Sequence, residues 1–472
     1  MLQKNQRQTR VVWSFESSCF SEELLEIIAS EEVDAIRLVP ESGQLAETID
    51  FMKKLRAKLT SAQKKCPIIL DVLAKNSATV VNLDAPKEVL FGQTLSGSAP
   101  GKGGDIEIKT ENLSTLFPGD VLAYLGNGAV ILRVVPTKSG IQFEVVQGGL
   151  IYPEMSISIP ESNLSPKLLD IPAEEIDLIL KNDIDAIVVP GFSDAEDLKG
   201  LKQKLDKSKS PPWLILKIAS EAGYRNIQNT LPLVRGVLVS RVELAMSLDP
   251  AQVPMATKEI IQICNEHGKV VLVASEILGS MRHNATPTRA EISDIANAVL
   301  DGADAVVLSE DLPYGRYAQR GLVLARKTIL DTENSETSLG KGIEGRKPKI
   351  NDVLATITYA AYRAAHRNNA KALVCISKEG NTALLLSSFR TPIPIIAVTL
   401  SEDVVRRLGL VRGVEGLFLQ EAPGIDEVLP LINERLIKGS WLKSGDKIVF
   451  VSVTISSIGE TASNLFTVQT LR

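Results

Sequence analysis

Three groups of residues in this chain are of types that can bind phosphate, coordinate metals or take part in catalysis: a glycine-rich segment, the histidines and the cysteines. Residues 97–104 read Gly-Ser-Ala-Pro-Gly-Lys-Gly-Gly, a composition that could cradle a phosphate on backbone amides. Their spacing matches no P-loop, so a flexible surface loop is the favoured interpretation. The histidines form no dyad or ligand cluster, and we assign no role to His267, His283 and His366. The four cysteines have no metal-ligand spacing and no disulfide framework, which favours a reducing compartment.

The stretch from 269 to 309 contains the kind of elements that must position functional groups. Residues 270–273 form a continuous aliphatic run, typical of a strand buried on both faces of a parallel sheet. Thr288 and Glu291 have the spacing of a capping box that opens a helix, and Gly302 stands where the C-terminal cap belongs. The apolar face of this helix would consist of Ile292, Ile295, Ala296, Val299 and Leu300. Residues 305–308 are the next buried strand, which completes a βαβ unit of a parallel sheet.

The chain divides into segments that differ in their predicted secondary structure. Its 472 residues allow about three domains. Strand–helix alternation occupies 1–76 and 165–333, whereas 77–164 has the short strands and turn signals of a small β domain. Residues 331–349 are polar and glycine-rich and are interpreted as a linker, and the final segment, 334–472, alternates helices and strands again. The order of predicted helices and strands therefore indicates an α/β protein with an inserted β domain and a C-terminal α/β domain.

The bulk composition excludes several classes of partner. An apolar fraction of 44% and a charged fraction of 23% are ordinary for a soluble globular protein. The formal net charge of −5, without long single-sign runs, gives no reason to expect nucleic acid or an anionic membrane as a partner. No apolar run approaches the roughly 18 residues of a membrane span, and residues 1–10 have no apolar core for a secretory signal. We expect a cytoplasmic protein, or one of an organelle stroma or matrix after removal of a targeting segment, and not a secreted one.

The segment from 287 to 304 resembles the signature of pyruvate kinases. It reads Pro-Thr-Arg-Ala-Glu, then Ile, then Ser-Asp-Ile-Ala-Asn-Ala-Val-Leu-Asp-Gly-Ala-Asp. The resemblance covers essentially the whole chain and is weakest in residues 77–164. It implies a (β/α)₈ TIM barrel, an inserted small β-barrel domain that closes over the active site as a lid, and a C-terminal α/β domain. The implied reaction moves a phosphoryl group from phosphoenolpyruvate to ADP and gives pyruvate and ATP.

The resemblance also implies functional residues. Lys217 would stabilise the charge on the transferred phosphoryl group and the enolate, and Ser275 stands where the family has a threonine associated with proton delivery to the enolate. Arg37 and Arg241 would bind the substrate, and Asp71 would belong to a monovalent-cation site. Two structural alternatives stay open at this point. Lys217 could be a strand-end lysine that reaches solvent, and Arg241 could pair with a nearby carboxylate.

Several positions depart from the family pattern at the ends of the implied barrel strands. Ala219 stands where the family has a glutamate that binds the divalent metal, and Glu243 replaces the aspartate that is the second metal ligand. Further departures weaken the monovalent-cation shell and a phosphate contact, at Val39, Glu41, Val72 and Ala78. The family implies Mg²⁺ or Mn²⁺ and K⁺ as cofactors, and this chain is depleted in ligands for both. Glu221 could reach the vacated metal position if the strand of Lys217 continues, although a solvated loop carboxylate is the favoured alternative.

Residues 377–382 occupy the position of the family's sugar-phosphate effector site. Four of them could hold an anion on backbone amides, namely Lys378, Gly380, Asn381 and Thr382, and an ordinary strand-to-helix turn is the equally supported alternative. Because the family is usually tetrameric, the resemblance also implies a homo- or hetero-oligomer.

These observations leave three functional hypotheses. The first is a divergent pyruvate kinase homologue whose inherited activity on phosphoenolpyruvate and ADP is weak or lost. The second is a catalytically silent subunit or regulatory binding protein on the same fold. The third is an enzyme with shifted metal ligation and a changed substrate. Dependence on a divalent metal and on Lys217 separates a working enzyme from a silent subunit.

Overall fold

The structure is a computed structural model. It describes the following residues: 7–40, 44–72, 78–80, 83, 85–109, 122–125, 130–137, 140–152, 156–158, 171, 173–190, 195–310, 312–338, 353–420, 425–453 and 464–471. No helix within these ranges is both long and apolar enough to cross a membrane.

Eight parallel strands close into a barrel, in which each strand pairs with its neighbours in sequence and the first pairs with the eighth. In chain order they are Arg10–Glu16, Ala35–Val39, Ile68–Asp71, Ala186–Val189, Trp213–Ile218, Gly236–Ser240, Val270–Ala274 and Ala305–Val307. Their aliphatic side chains are buried on both faces, inside the barrel and under the helices. This confirms the predicted (β/α)₈ barrel.

Helices cover the outside of the barrel. The α-helices are Glu22–Ser30, Leu45–Ser61, Ala173–Leu180, Ala195–Leu205, Glu221–Arg225, Ile227–Thr230, Arg241–Ser247, Val253–Glu266, Arg289–Asp301 and Ala318–Ser338. Short 3₁₀ turns lie at Ser17–Cys19, Leu231–Leu233, Gly279–Arg282 and Leu312–Tyr314.

The helix Arg289–Asp301 begins and ends as its sequence predicts. Thr288 Oγ1 accepts a hydrogen bond from the Glu291 amide, and the Glu291 carboxylate accepts one from the Thr288 amide. Gly302 ends the helix in the left-handed conformation, with φ 95°. The predicted apolar face was wrong at Leu300, which is 45% exposed. Successive residues of an α-helix are about 100° apart, so Leu300 and Ala298 lie on opposite sides of Val299. The side that packs against the core is that of Ala298, which is buried together with Ile295 and Val299.

A second, smaller barrel is inserted between the third and fourth strands of the large one. It closes seven strands, which are Ala78–Val80, Thr94–Ser98, Ile106–Lys109, Leu122–Leu125, Val130–Thr137, Gly140–Gln147 and Ser156–Ser158. Lys87–Val89 and Gly149–Ile151 form a separate antiparallel pair. The loop prediction for 97–104 was wrong at its start, because Gly97 and Ser98 belong to a strand. The amides of Gly101 and Gly103 hold the Glu107 carboxylate at 2.9 and 3.0 Å, so this segment cradles a side chain of its own domain.

The C-terminal domain is a five-stranded sheet with helices on it. The strands lie in the spatial order Val414–Phe418, Ile395–Thr399, Ala372–Ile376, Lys447–Val453 and Asn464–Thr470, and only the last is antiparallel. The helices are Val353–Arg367, Asn381–Ser388, Glu402–Arg407 and Ile425–Lys438, with a 3₁₀ turn at Leu408–Leu410. This confirms the predicted C-terminal α/β domain, while the residue numbers of the domain boundaries stay predictions.

The linker prediction was wrong over 331–338, which continue the helix Ala318–Ser338. The polar composition of this segment suggested a solvent-exposed linker, but one of its acidic residues is buried and forms hydrogen bonds within the protein. Glu333 is buried and accepts hydrogen bonds from the amides of Gln8 and Thr9, both at 2.7 Å. Residues 339–349, the rest of the predicted linker, lie outside the described ranges.

Candidate active site

A cluster of five charged side chains lies at the carboxyl ends of the barrel strands, where a (β/α)₈ barrel carries its functional groups. Arg37 comes from the second strand, Asp71 ends the third, and Lys217 lies near the end of the fifth. Glu243 follows the sixth strand in a short helix, and Glu310 follows the eighth. The fold therefore brings together residues that are up to 273 positions apart in the chain.

Arg37 is held by two carboxylates. Its Nε and Nη2 donate to the two carboxylate oxygens of Asp71 at 2.8 and 2.5 Å, and its Nη1 donates to Glu310. Arg37 and Asp71 are both buried, which makes this bidentate pair a strong one. Burial alone would lower the pKa of Arg37, but Asp71 and Glu310 outweigh that effect and raise it. All three nitrogens of the guanidinium group that could bind a substrate phosphate thus donate to a protein carboxylate.

Lys217 forms an ion pair with the remaining candidate metal ligand. Its Nζ donates to Glu243 Oε1 at 2.5 Å, and the two side chains are only 22% and 33% exposed. Burial would lower the pKa of Lys217, but the charges of Glu243 and Asp71 raise it above its usual value. Lys217 is therefore a charged group of the cluster and does not simply extend into solvent.

Glu310 was missed by the sequence analysis. Burial would raise its pKa, but Arg37 and Lys217 outweigh burial and lower it, so Glu310 is ionised within the cluster. Its only sequence signal was its position directly after the last barrel strand, where functional groups are expected.

Arg241 and Ser275 lie beside each other at the end of the seventh strand. Arg241 donates from Nε to the Ala274 carbonyl at 2.9 Å and from Nη2 to the Ser275 carbonyl at 2.5 Å, and it pairs with Asp294. It thereby ties the strand end to the helix Arg289–Asp301, the kind of contact that the structural alternative predicted. Ser275 has a positive φ of 77°, an uncommon conformation that often occurs at functional sites. Its hydroxyl lies 3.4 Å from that of Ser240.

Glu221 does not compensate for the alanine at position 219. The fifth strand ends at Ile218, and Ser220 caps a short helix by accepting a hydrogen bond from the Gly223 amide at 3.1 Å. Glu221 is therefore not on the strand face that carries Lys217, and its carboxylate pairs with Arg225 on the next helical turn. The alternative of a continued strand is wrong, and so is that of a loop position, because Glu221 is helical.

Two family models match this chain. One, described as pyruvate kinase, barrel domain, matches residues 6–322, and another, described as pyruvate kinase, alpha/beta domain, matches 355–468. The chain belongs to the pyruvate kinase family. It is 28% identical over 465 residues to the pyruvate kinase of Sporosarcina psychrophila, which covers 96% of this chain and 79% of that protein. It is 30% identical over 361 residues to the enzyme of Agaricus bisporus, which covers 72% and 68%.

Solved pyruvate kinases have the same overall structure. A pyruvate kinase of Cryptosporidium parvum superposes with a TM-score of 0.80 at 25% identity, over 99% of this chain and 97% of the other. Cryptosporidium parvum pyruvate kinase in complex with ADP gives a TM-score of 0.82 at 25% identity, over 99% and 96%.

The pyruvate kinase family implies a divalent metal and K⁺, and the residues present here do not fit either site. Ala219 has no side-chain donor atom, and Oε1 of Glu243 already pairs with Lys217. Val39 and Val72 carry no side-chain oxygen, and Asp71 is engaged on both oxygens by Arg37. Among the described residues, no group of three or more histidine, cysteine, aspartate or glutamate side chains could hold a metal ion. Glu41 lies outside the described ranges, and so does the side chain of Ala78.

The predicted effector residues of this pyruvate kinase homologue lie together in one loop, but that loop is docked on the barrel. Asn381 accepts a hydrogen bond from Arg235, and the neighbouring Glu379 accepts another at 3.0 Å. Gly380 has φ 95° and lies against the ring of Trp213, whereas Lys378 is exposed and Thr382 is buried. The loop therefore packs on the barrel through Arg235, which is consistent with an ordinary strand-to-helix turn. Binding of an effector by this loop stays a prediction.

The histidines and cysteines fit their structural interpretation. His267 Nδ1 lies 2.8 Å from the Ile263 carbonyl, and His366 Nε2 lies 3.1 Å from Thr391 Oγ1. Cys264 and Cys375 are buried free thiols, and burial raises the pKa of Cys375 to about 12. A thiol with so high a pKa is unreactive at neutral pH.

Proposed function

We propose that this chain is a divergent pyruvate kinase homologue in which phosphoryl transfer from phosphoenolpyruvate to ADP is weak or lost. The observation that carries the proposal is the direct ion pair between Lys217 and Glu243. It joins the residue expected to stabilise the moving phosphoryl group to the one carboxylate that the family pattern leaves for the divalent metal. The ion pair therefore competes with the role that the family gives to each group.

The charge balance of the cluster supports this proposal. Phosphoryl transfer depends mostly on positioning and on neutralising the negative charge of the moving group, usually by a divalent metal. Here two cations, Arg37 and Lys217, already contact three carboxylates, those of Asp71, Glu243 and Glu310. The cluster is thus net negative by one charge when all five groups are ionised, and it repels an anionic substrate unless an added cation compensates.

If the chain is active, the roles follow the family pattern. Arg37 and Arg241 bind the substrate, Lys217 stabilises the transferred group, and the Ser275 hydroxyl serves the proton transfer to the enolate. Glu243 would then be the one carboxylate that the family pattern assigns to the divalent metal, and its ion pair with Lys217 would compete with that role. Asp71 would contribute to a partial K⁺ site.

The same closed ion pairs favour a second function, that of a catalytically silent subunit or regulatory binding protein. Such a protein acts through contacts with identical or different subunits, and a tetramer is the assembly that the family suggests. This function requires the pyruvate kinase fold but not the catalysis of phosphoryl transfer. A cytoplasmic or organellar location fits either function.

A coupled assay for pyruvate formation tests the proposal. Purified protein is assayed with phosphoenolpyruvate and ADP, with Mg²⁺ or Mn²⁺ and with or without K⁺, beside Lys217→Met and a matched surface variant, Lys207→Met. We expect little or no turnover from folded wild-type protein. Metal-dependent turnover at the level of an ordinary pyruvate kinase, abolished by Lys217→Met and kept by Lys207→Met, would contradict the proposal. Co-purification of a partner subunit with inactive protein would support the silent-subunit function.

A further inference from the structure

A large cleft lies between the C-terminal domain and the end of the barrel opposite the charged cluster. Its volume is about 1040 Å³. On the barrel side, Trp213, Arg235 and Lys269 line it from the amino ends of the fifth, sixth and seventh strands. Lys269 directly precedes the seventh strand, and it is half-buried. Its side chain is therefore partly withdrawn from bulk water in the wall of a cleft that is large enough to admit small molecules.

Lys269 has a hydrogen bond but no ion pair. Within the described part of the chain, its Nζ donates only to the Val234 carbonyl, at 2.7 Å. A carbonyl oxygen accepts a hydrogen bond from an uncharged amine as well as from an ammonium group, so this contact does not require a charged lysine. A cation that is partly buried without an opposite charge costs free energy. The local contacts of Lys269 therefore tolerate the loss of its positive charge.

The cleft has an excess of positive charge around Lys269. Its lining contains two carboxylates and six cations, an excess of four positive charges, and these groups are Asp206, Glu379, Lys202, Lys209, Arg235, Lys269, Lys378 and Arg407. Both carboxylates are already engaged. Asp206 pairs with Lys202, and Glu379 accepts a hydrogen bond from Arg235 at 3.0 Å. A modification that turned Lys269 from a cation into an anion would therefore reduce the repulsion within the cleft.

The surroundings of Lys269 also favour its uncharged, nucleophilic form. Burial, followed by the charge of Arg235 and more weakly that of Lys202, lowers the pKa of Lys269 from 10.5 to about 8. Cys264, on the helix Val253–Glu266, acts in the opposite sense. At pH 7 roughly a tenth of Lys269 is then uncharged, about 300-fold more than of an ordinary lysine. Only an uncharged amine has the free electron pair that attacks an electrophile.

We propose that Lys269 is a carbamylation site, at which the uncharged Nζ takes up carbon dioxide as a carbamate. The electron pair of the nitrogen attacks the carbon atom of carbon dioxide and forms an N–C bond, while one electron pair of a C=O double bond moves to its oxygen. The nitrogen then releases one proton to water. The product is a carbamate anion that retains one N–H, and nothing is oxidised or reduced.

The surroundings fit the carbamate better than the ammonium group. The remaining N–H keeps a donor for the Val234 carbonyl. The new carboxylate group places a negative charge among cations, above all Arg235 and Lys202, whose charges already act on this amine. Acetylation of Lys269 would remove one positive charge without adding a negative one, so the charge of the cleft favours carbon dioxide as the electrophile. The proposal does not depend on whether the barrel catalyses phosphoryl transfer.

Chemical trapping on the full chain tests the proposal. The protein is equilibrated near neutral pH with carbon-13-labelled carbon dioxide at a fixed partial pressure, and triethyloxonium ion is added to ethylate any carbamate before proteolysis and mass spectrometry. We expect the labelled adduct at Lys269 with an occupancy at least about tenfold above that at Lys207, an exposed lysine that does not line the cleft. An occupancy at Lys269 no higher than that at Lys207 overturns the proposal.

The stability of the protein under carbon dioxide gives a second, independent measurement. A carbamate that forms only in the folded state should raise the denaturation midpoint of the wild type at constant pH and ionic strength, and half occupancy should raise the folding equilibrium constant about twofold. Lys269→Arg keeps the positive charge but forms no carbamate, so its midpoint should not respond, whereas Lys207→Arg should respond as the wild type does. No response of the wild type, or an equal response of Lys269→Arg, overturns the proposal. If the larger arginine prevents folding, Lys269→Met takes its place, because it also cannot form a carbamate.

Discussion

The two ends of the barrel use positive charge in opposite ways. At the carboxyl end, Arg37 and Lys217 each contact a carboxylate directly, and Glu310 adds a third. At the amino end, Lys269 of the barrel and Arg407 of the C-terminal domain line a cleft between the two domains, and neither forms an ion pair among the described residues. In the first arrangement each cation contacts a carboxylate of the protein, whereas in the second the two cations donate only to neutral oxygens.

This difference has opposite consequences for stability at the two ends. An internally paired charge gives the native state stability that is lost when one partner is removed, because the other is left buried and alone. An unpaired buried cation does the reverse, since it costs stability until an anion arrives. The charged cluster at the carboxyl end therefore resembles a structural ion-pair network, whereas Lys269 and Arg407 form no ion pair among the described residues.

The largest effect should come from breaking the buried pair at the carboxyl end. Asp71→Ala leaves Arg37 with only the more exposed Glu310, and we expect the free energy of unfolding to fall by about 3–5 kcal/mol. Chemical denaturation measures this loss. The matched control is Asp50→Ala, which removes an exposed partner of Lys53 and should cost less than about 1 kcal/mol. Equal effects of the two substitutions would mean that the cluster is not a stabilising network.

Removing a cation at the opposite end should stabilise the protein. The folded pKa of Lys269 lies below its ordinary value, so the unfolded chain binds more protons between pH about 8 and 10.5, and wild-type stability rises with pH across that window. Lys269→Met removes this penalty, and we expect it to raise the free energy of unfolding at pH 7 by about 1–3 kcal/mol. The advantage should shrink as the pH approaches 10.5. A variant less stable than the wild type at pH 7 would show that Lys269 is not an unsatisfied charge.

The docking of the C-terminal domain beside the cleft can be tested at one glycine. Gly380 has φ +95°, and a Cβ there would lie 3.2 Å from the ring of Trp213. Gly380→Ala should therefore destabilise the protein by about 1–2 kcal/mol through backbone strain and this contact. Gly445 has nearly the same φ, +92°, with nothing within 4 Å of the added Cβ, so Gly445→Ala measures the strain alone. A cost at position 380 no larger than that at 445 would mean that the contact with Trp213 adds nothing.

The sequence predicted the parts of this molecule that depend on local signals. The strand at 270–273 and the helix that begins after Thr288 follow from aliphatic runs and a capping box, all within a few residues of each other. The positions of Lys217 and Glu243 at neighbouring strand ends also followed from the family pattern. Their direct contact did not, because side-chain pairing depends on distances across the barrel.

Long-range charge pairing was beyond the sequence analysis for the same physical reason. Glu310 and Arg37 are 273 residues apart, and Glu379 and Arg235 are 144 apart. Each of these residues is an unremarkable polar residue until the fold brings its partner near. The absence of an ion pair at Lys269 was still harder to predict from the sequence, since it depends on which side chains do not lie near it in the fold.

The smallest predicted effect concerns Glu310, the residue of the cluster that the sequence analysis missed. Its pKa is lowered against the effect of burial by Arg37 and Lys217, so its contribution to stability is present above its unfolded pKa and is lost as the pH falls through its folded pKa. Because its side chain is 39% exposed, solvent screens the pair, and Glu310→Gln should cost only about 0.5–1 kcal/mol at pH 7. The difference from the wild type should shrink as the pH falls below the ordinary range of a glutamate and vanish below the lowered folded pKa. A difference that is equal at both pH values would show that Glu310 acts through shape and hydrogen bonding, and that its charge does not help to close the site.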